Sequence, residues 1–368
     1  MQLHLNVSAH CGQACASSDF RCSTTTLHDI AERCEVSIAT VSAVVNGADW
    51  VTHATRERVQ RAVDDMGYHP NQLARGLKKQ EGHAVGVIVS DLTNPFFTQI
   101  VRSLTLALHD AGRALSLCDS DHRHDLGEAN LRMLVEGQVL GLIVVGDSVP
   151  ESALRAFVKQ RPRVPVIVIE REYAVPQVST LLADSERGAF TATTHLAERG
   201  CTRIAMITGP STGAGSATYG RVQRYEGYKR ALRACGQTLE PDLVVEGNFR
   251  YESGRAAMRQ LLALPRRPDA VFSANDMMAI GAMSAIRDAG ARVPDDISLV
   301  GFDDVPITTL VQPALTTMAM PLREFGESAA RLLGQQLALG GDHSPVRLEF
   351  SAELVVRASS LRPVVTTG

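Results

Sequence analysis

The stretch TLHDIAERCEVSIATVSAVVNG, residues 26–47, decides the fold of the N-terminal part of this chain. Its first apolar residues recur at the i, i+3, i+4, i+7 spacing of a short helix, and Thr26 is a good N-cap for that helix. Only a tight turn fits before Ser37, which can cap a second helix that ends at Gly47. Two short helices joined by such a turn predict a helix-turn-helix.

A third helix is expected from Thr52 to Met66, because Val59 and Val63 fall on one face of that segment. The glycine and proline within residues 67–70 would end it. Together the three helices predict an all-α headpiece over residues 25–69. A small helical domain can contain such a pair of helices without binding DNA, so the spacing alone leaves that function open.

Composition indicates a globular chain of two or three domains. The 368 residues are 45% hydrophobic and 21% charged, which is typical of such proteins. No apolar run approaches the ~18 residues that a membrane helix needs, and the N-terminus lacks the pattern of a signal peptide. We therefore expect a cytoplasmic protein with no membrane partner, whose seven irregularly spaced cysteines are thiols.

Residues 1–24 are polar and show no periodicity, so we expect a disordered extension there. A metal cluster is the competing interpretation, but the spacing matches no zinc pattern. We predict no metal site and no cofactor. The residues weighed for the metal cluster are His4, His10, Cys11, Cys15 and Cys22.

A net charge of −3 argues against DNA binding unless the charge is read locally. Residues 25–80 contain seven basic and seven acidic side chains, so the headpiece has no excess positive charge. Residues 67–80, in contrast, contain three bases and no acid. One copy should bind DNA weakly, and two copies are needed.

These segments resemble the headpiece of the lactose-repressor (LacI/GalR) family of bacterial regulators. The resemblance is carried by residues 26–47, by THATRERVQRAVDDMGYHPN at 52–71 and by QLARGLKK at 72–79, and it continues to about Ser360. It implies a homodimeric repressor that binds a palindromic double-stranded DNA operator under the control of a small-molecule effector.

The resemblance also implies that residues 70–83 form a hinge helix and linker. Leu77 would be the leucine that enters the minor groove, with Ala74, Arg75 and Lys78 beside it. Residues 71–79 are fewer than the ~12 that a lone helix needs, so the hinge should fold only on DNA or against a partner copy. A plain linker is the alternative.

On the second helix, the resemblance places base-edge contacts at the outward positions Ile38, Ala39 and Ala43. These side chains cannot form hydrogen bonds, so bidentate base readout is unavailable, and we expect contact with thymine methyl groups. The polar residues of the same helix would reach phosphates or an occasional base. They are Ser37, Thr40, Ser42 and Asn46.

From Ala84 onward, apolar strands alternate with helices, which predicts an α/β core of doubly wound parallel sheets. Polar residues follow each strand, so these strand ends should converge on one cleft. Resemblance to ribose-type periplasmic sugar-binding proteins implies two lobes joined by three crossovers, with residues 315–320 returning the chain to the first lobe. We assign residues 84–362 to effector binding and dimerisation and 363–368 to a tail.

A sugar pocket needs aromatic plates and planar polar groups, and the resemblance assigns both to the strand ends. Two departures from the family pattern, Glu170 where Asp is usual and Met320 where Gln is frequent, leave the particular sugar open. For each polar residue alone, a capping role is about as plausible as ligand contact. The predicted effector-binding residues are Asn94, Phe96, Phe97, Arg171, Arg224, Phe249, Asn275 and Asp303.

No enzymatic motif competes well with this interpretation. The glycine-rich stretch at 208–220 departs from dinucleotide-loop spacing, and we expect it to be a flexible edge of the cleft. HRHD at 122–125 is expected to be a solvated loop, and no catalytic residues are predicted. The alternatives are a sugar-binding transport component of the same fold and, third, an enzyme. Whether the effector releases or strengthens DNA binding stays open.

Overall fold

The computed structural model describes residues 25–45, 47–68, 84–211, 219–340 and 344–362. The chain divides into two compact units, residues 1–79 and 80–368. Within the described ranges, no helix has the length and apolarity needed to cross a membrane. The expected contacts Asn46, Ala74, Arg75, Leu77 and Lys78 and the expected extension at 1–24 lie outside the described residues.

The first unit contains helices α1 (Leu27–Arg33), α2 (Ile38–Val45) and α3 (His53–Asp65). The predicted caps set the starts of α1 and α2. The Thr26 hydroxyl accepts a hydrogen bond from the Asp29 amide, and the Asp29 carboxylate accepts one from the Thr26 amide at 2.7 Å. The Ser37 hydroxyl accepts a bond from the Thr40 amide at 3.1 Å. Such caps typically contribute ~1 kcal/mol each.

The headpiece core is built from the predicted apolar stripes, since Ile30, Val41 and Val59 are fully buried. Ala43, however, lies in this core, so the expectation that it faces DNA is wrong. The amide of Ala48 donates to the carbonyl of Ala43 at 2.9 Å, which folds the chain back beside the end of α2. Helical spacing alone does not show this turn.

The second unit consists of two lobes, each built on a six-stranded sheet. The first sheet has the order β11-β5-β4-β3-β1-β2 and the second β12-β10-β9-β8-β6-β7. All neighbouring strands are parallel except β10 and β12. The first lobe comprises β1 (Ala84–Val89), α4 (Pro95–Asp110), β2 (Ala114–Asp119), α5 (His124–Glu136), β3 (Gly141–Val145), α6 (Glu151–Gln160), β4 (Val166–Ile169), β5 (Ser179–Ala183), α11 (Leu322–Ala338) and β11 (Arg347–Phe350).

The second lobe repeats this alternation, which confirms the predicted fold class. Its central strands are buried on both faces, and every residue of β9 is buried, so they read as continuous apolar runs. This lobe comprises α7 (Ser185–Glu198), β6 (Ile204–Thr208), α8 (Tyr219–Ala234), β7 (Val244–Glu246), α9 (Tyr251–Leu262), β8 (Ala270–Ser273), α10 (Asp276–Asp288), β9 (Ser298–Asp303), β10 (Thr316–Ala319) and β12 (Glu353–Val355).

Three crossovers join the lobes, between β5 and α7, between β10 and α11, and between β11 and β12. The expectation that residues 315–320 return the chain to the first lobe is wrong, because β10 pairs with β9 in the second sheet. The return follows at Pro321, where α11 begins and packs against α4. Gly326 permits this approach, since a Cβ there would lie 2.1 Å from the Ser103 hydroxyl.

Candidate functional site

The exposed start of α2 is the predicted DNA-reading surface of the headpiece. Ile38 is 46% exposed, and Ala39 and Ser37 are also exposed. The hydroxyl groups of Ser37 and Thr40 lie 2.9 Å apart. An exposed isoleucine at the start of this helix has no role in the headpiece core, so it is available for contact with another molecule.

A cavity of about 530 Å³, including the open space at its mouth, lies at the carboxyl ends of strands from both lobes. Seven of the eight predicted effector-binding residues line it: Asn94, Phe96, Phe97, Arg224, Phe249, Asn275 and Asp303. The other lining residues are Ser90, His122, Gly146, Asp147, Glu170, Gly220 and Arg221. The strand ends therefore meet at one place, as the polar residues after each strand predict.

Aromatic rings from both lobes form the apolar walls of this cavity. Phe96 and Phe97 pack edge to face, with centroids 5.1 Å apart, and α4 holds them in place because the Asn94 side chain caps it at the Phe96 amide. Phe249 comes from the second lobe and has a left-handed backbone, with φ of 68°. Gly209 makes room for its ring, since a Cβ there would lie 2.2 Å from Phe249 Cζ.

Arg224 and Asp303 form the charged part of the wall. Arg224 Nη1 donates to the carbonyl of Ala274 at 2.6 Å, and its guanidinium lies 4.0 Å from the ring centroid of Phe302. Its Nη2 is 3.6 Å from Asp303 Oδ1, which is too long for a good hydrogen bond. Arg224 Nε and Asp303 Oδ1 are both buried without a hydrogen-bond partner among the described residues, so this wall has hydrogen-bonding capacity that the protein does not use.

Two buried carboxyl groups, those of Glu170 and Asp303, lie near the guanidinium of Arg224. Burial raises the pKa of Glu170 to about 7, although the charge of Arg224 opposes this rise. Burial likewise raises the pKa of Asp303 well above its usual value, and the nearby Asp276 and Glu170 raise it further, against the charge of Arg224. At neutral pH Glu170 is therefore partly protonated, which lowers the negative charge beside Arg224.

Two of the predicted effector-binding residues, Asn275 and Arg171, make polar contacts with other residues of the protein. Asn275 makes two hydrogen bonds within the second lobe, because its oxygen accepts from the Met278 amide at 3.0 Å and its nitrogen donates to the Phe249 carbonyl at 2.8 Å. Its capping role, left open by the sequence, is therefore present. Arg171 departs from expectation because it does not line the cavity: its Nε lies 3.3 Å from Asp147 Oδ1 and its guanidinium lies over Tyr173.

Sequence reasoning missed His122. The expectation of a solvated loop at 122–125 is wrong for this residue, whose side chain lines the cavity beside Phe97. Burial lowers the pKa of His122, against the charge of Asp91. The left-handed backbone of Asp121 and His122 turns the loop inward. Its position just after β2 could have indicated this role, because polar residues that follow the other parallel strands were expected to line the cleft.

Other candidate sites are weaker. In the part of the chain that the structure describes, no group of three or more potential ligands could hold a metal ion. Residues 212–218 of the glycine-rich stretch lie outside the described ranges, while Gly220 and Arg221 line the cavity. Met320, noted as a departure from the family pattern, is buried but does not line the cavity.

A helix-turn-helix headpiece joined in one chain to a two-lobed α/β core with a polar, aromatic-lined cavity defines a ligand-responsive transcriptional regulator. Family models agree with both parts. Residues 26–71 match the bacterial regulatory proteins of the lacI family, and residues 193–360 match a periplasmic binding protein-like domain. The chain belongs to the LacI family of DNA-binding transcriptional regulators, as the sequence predicts.

Individual relatives support this assignment over most of the chain. The HTH-type transcriptional repressor CytR of Escherichia coli (strain K12) is 35% identical over 338 residues, or 91% of this chain and 96% of the relative. A complex of the transcriptional regulator CelR with cellobiose matches with a TM-score of 0.68 and 34% identity, over 91% of this chain and 99% of that one. A lac repressor dimer bound to operator and the anti-inducer ONPF matches with a TM-score of 0.80 and 28% identity, over 92% and 100%.

Proposed function

We propose that this chain is a homodimeric repressor whose operator binding is controlled by a small, uncharged, hydroxyl-bearing effector, a sugar or sugar derivative, bound in the cavity between the lobes. The observation that carries the proposal is the pairing of three phenylalanine rings with unused hydrogen-bonding atoms on Arg224 and Asp303. Aromatic faces suit the apolar faces of a sugar ring, and a guanidinium beside a carboxyl group suits neighbouring hydroxyls.

The charges of the wall favour an uncharged ligand. Arg224 is already shared with Asp303 and lies near Glu170, and Asp147 lies within 3.3 Å of Arg171. A phosphate or carboxylate ligand would add negative charge to a buried wall that contains several carboxyl groups, at a high desolvation cost. An effector whose hydroxyl groups donate to these carboxyl groups avoids that cost.

The headpiece supports DNA binding by two copies. Exposed Ile38 and Ala39 favour apolar contact with thymine methyl groups, which gives less base discrimination than bidentate hydrogen bonds. Two headpieces on a palindromic site would double the contacts. The solved lac repressor dimer on its operator supports this arrangement for a chain of the same fold.

A two-stage experiment tests the proposal. A thermal-shift screen compares neutral sugars and nucleosides with sugar acids and sugar phosphates, since a ligand at 100 times its dissociation constant stabilises the folded state by ~2.7 kcal/mol. A gel-shift assay on DNA selected from a random pool then measures binding with and without the hit. If only anionic ligands stabilise the protein, the proposal of an uncharged effector is wrong. If no DNA sequence is selected from the pool, the proposal of a repressor that binds a specific operator is wrong.

The cavity alone does not distinguish a regulator from a sugar-binding transport component of the same α/β fold. The three-helix headpiece has no use in such a component, so it decides for the regulator. An enzyme is third, and a turnover assay on the ligands found in the screen would detect it.

A further inference from the structure

One group of charged residues crosses the mouth of the cleft. Arg250, in the second lobe, has its Nε 3.3 Å from Asp91 Oδ2, and its Nη2 also pairs with Asp121. Both carboxylates belong to the first lobe, where they follow β1 and β2 respectively. We call this group, Arg250 with Asp91 and Asp121, the interlobe clasp.

Arg250 is held rigidly on its own lobe. It is the N-cap residue of α9, its amide donates to the Asn248 side chain at 3.1 Å, and its carbonyl accepts from the Ser253 hydroxyl at 2.8 Å. Because the backbone is fixed at both its amide and its carbonyl, the guanidinium reaches the first lobe from a defined base. Relative motion of the lobes would therefore break the ion pairs.

The interlobe clasp differs from an exposed ion pair because Asp91 is buried. Its side chain is 2% exposed, and burial pushes its pKa upward, but hydrogen bonds from Thr93 and the charge of Arg250 outweigh burial and leave that pKa below its usual value. A buried, ionised carboxylate requires a partner or water. Without Arg250, Asp91 would gain by opening the cleft to water.

The clasp is also connected to the cavity. His122 Nε2 lies 3.7 Å from Asp91 Oδ2, and His122 lines the cavity. Phe249, the aromatic wall from the second lobe, directly precedes Arg250 in the chain. The clasp therefore lies next to one residue of each cavity wall, while Arg250 itself lies outside the lining.

We infer that Arg250 is a positioning residue of the effector site, which holds the two lobes closed through Asp91 and Asp121 before any effector binds. Effector affinity then depends on the clasp, because apparent affinity scales with the fraction of chains already in the binding-competent form. The link between the clasp and effector affinity rests on the proposed function, but the closed form of the two lobes can be measured without an effector.

The test measures the distance between the lobes in the full chain. Spin labels are attached through p-azidophenylalanine placed at Ala129 on α5 and Ala256 on α9, two exposed helix positions, and labelled chains are diluted with unlabelled ones. The ligand-free parent should show one short distance. Arg250→Met should add a longer population, with the closed-to-open ratio falling up to about tenfold, since Asp91 is buried but Arg250 and Asp121 are 42% and 59% exposed and solvent weakens their pairing. Asp121→Asn should shift the ratio in the same direction by less.

Arg255→Met is the matched control. Arg255 lies on the same helix and pairs with Asp288 at 2.6 Å within the second lobe, so its loss should leave the distance unchanged, with a melting temperature similar to that of Arg250→Met. Parent-like distances in both clasp variants would overturn the inference, as would equal opening in the control. Either result would leave the proposed effector untouched, because no ligand is used.

Discussion

Glu170→Gln should reduce the dependence of stability on pH. Glu170 is buried at the end of β4, its Oε1 accepts a hydrogen bond from the Ala183 amide at 2.6 Å, and burial raises its pKa from 4.5 to about 7. A glutamine amide oxygen can accept the same bond, so the substitution removes the ionisation while it keeps the shape and the contact.

The direction of this pH dependence follows from the linkage between proton binding and folding. The folded state holds this proton more tightly than the unfolded state, so the stabilisation is complete below pH 4.5 and is lost as the pH rises to about 7. A shift of this size corresponds to a loss of up to ~3 kcal/mol across that window. Glutamine cannot ionise, so the variant should lose less stability than the parent between pH 4.5 and 7.5.

The assay is urea unfolding followed by circular dichroism at several pH values. Glu172→Gln is the matched control, because Glu172 is two residues further on, 51% exposed and paired with Arg347, and its pH profile should follow the parent's. Asp276 and Asp303 will keep part of the dependence in every variant, since burial raises the pKa of each. Parallel profiles for Glu170→Gln and the parent would refute the reasoning.

The remaining predictions concern ligand and DNA. Arg224→Ala should abolish calorimetric binding of the screened effector, whereas Arg230→Ala, on the exposed side of α8 with Glu186 as its partner, should bind normally; normal binding by both would move the pocket elsewhere. Leu77→Ala should weaken operator binding strongly in a gel shift and leave effector affinity unchanged, because the leucine would bend the DNA by unstacking a base step, and contacts that only bent DNA allows would repay the cost of bending. Replacing half-site thymines by uracil should weaken binding under Ile38 and Ala39, and unchanged affinity would exclude methyl contacts.

Helix caps and apolar runs in the sequence predicted much of the fold. Thr26 and Ser37 mark helix starts because each cap satisfies an amide within three residues, so the signal lies in adjacent sequence. Continuous apolar runs indicated the buried parallel strands, because such strands are covered on both faces and have no solvent-facing positions. The convergence of strand ends followed from topology, since parallel strands place their carboxyl ends at one edge of a sheet.

The family assignment also came from sequence, through consecutive matching positions from residue 26 onward. It predicted the lobes and the cavity residues, seven of which the structure brings together. Their role in effector binding stays a prediction.

Tertiary structure decided what adjacent sequence could not. Ala43 is buried because the following turn returns beside α2, Arg171 points to Asp147, and His122 turns into the cavity. The raised pKa of Glu170 depends on burial that two lobes create together, and Arg250 meets a carboxylate 159 positions away in the chain. Hydrogen bonds within a few residues are written in the sequence, whereas burial and charge pairing between distant segments exist only after the chain has folded.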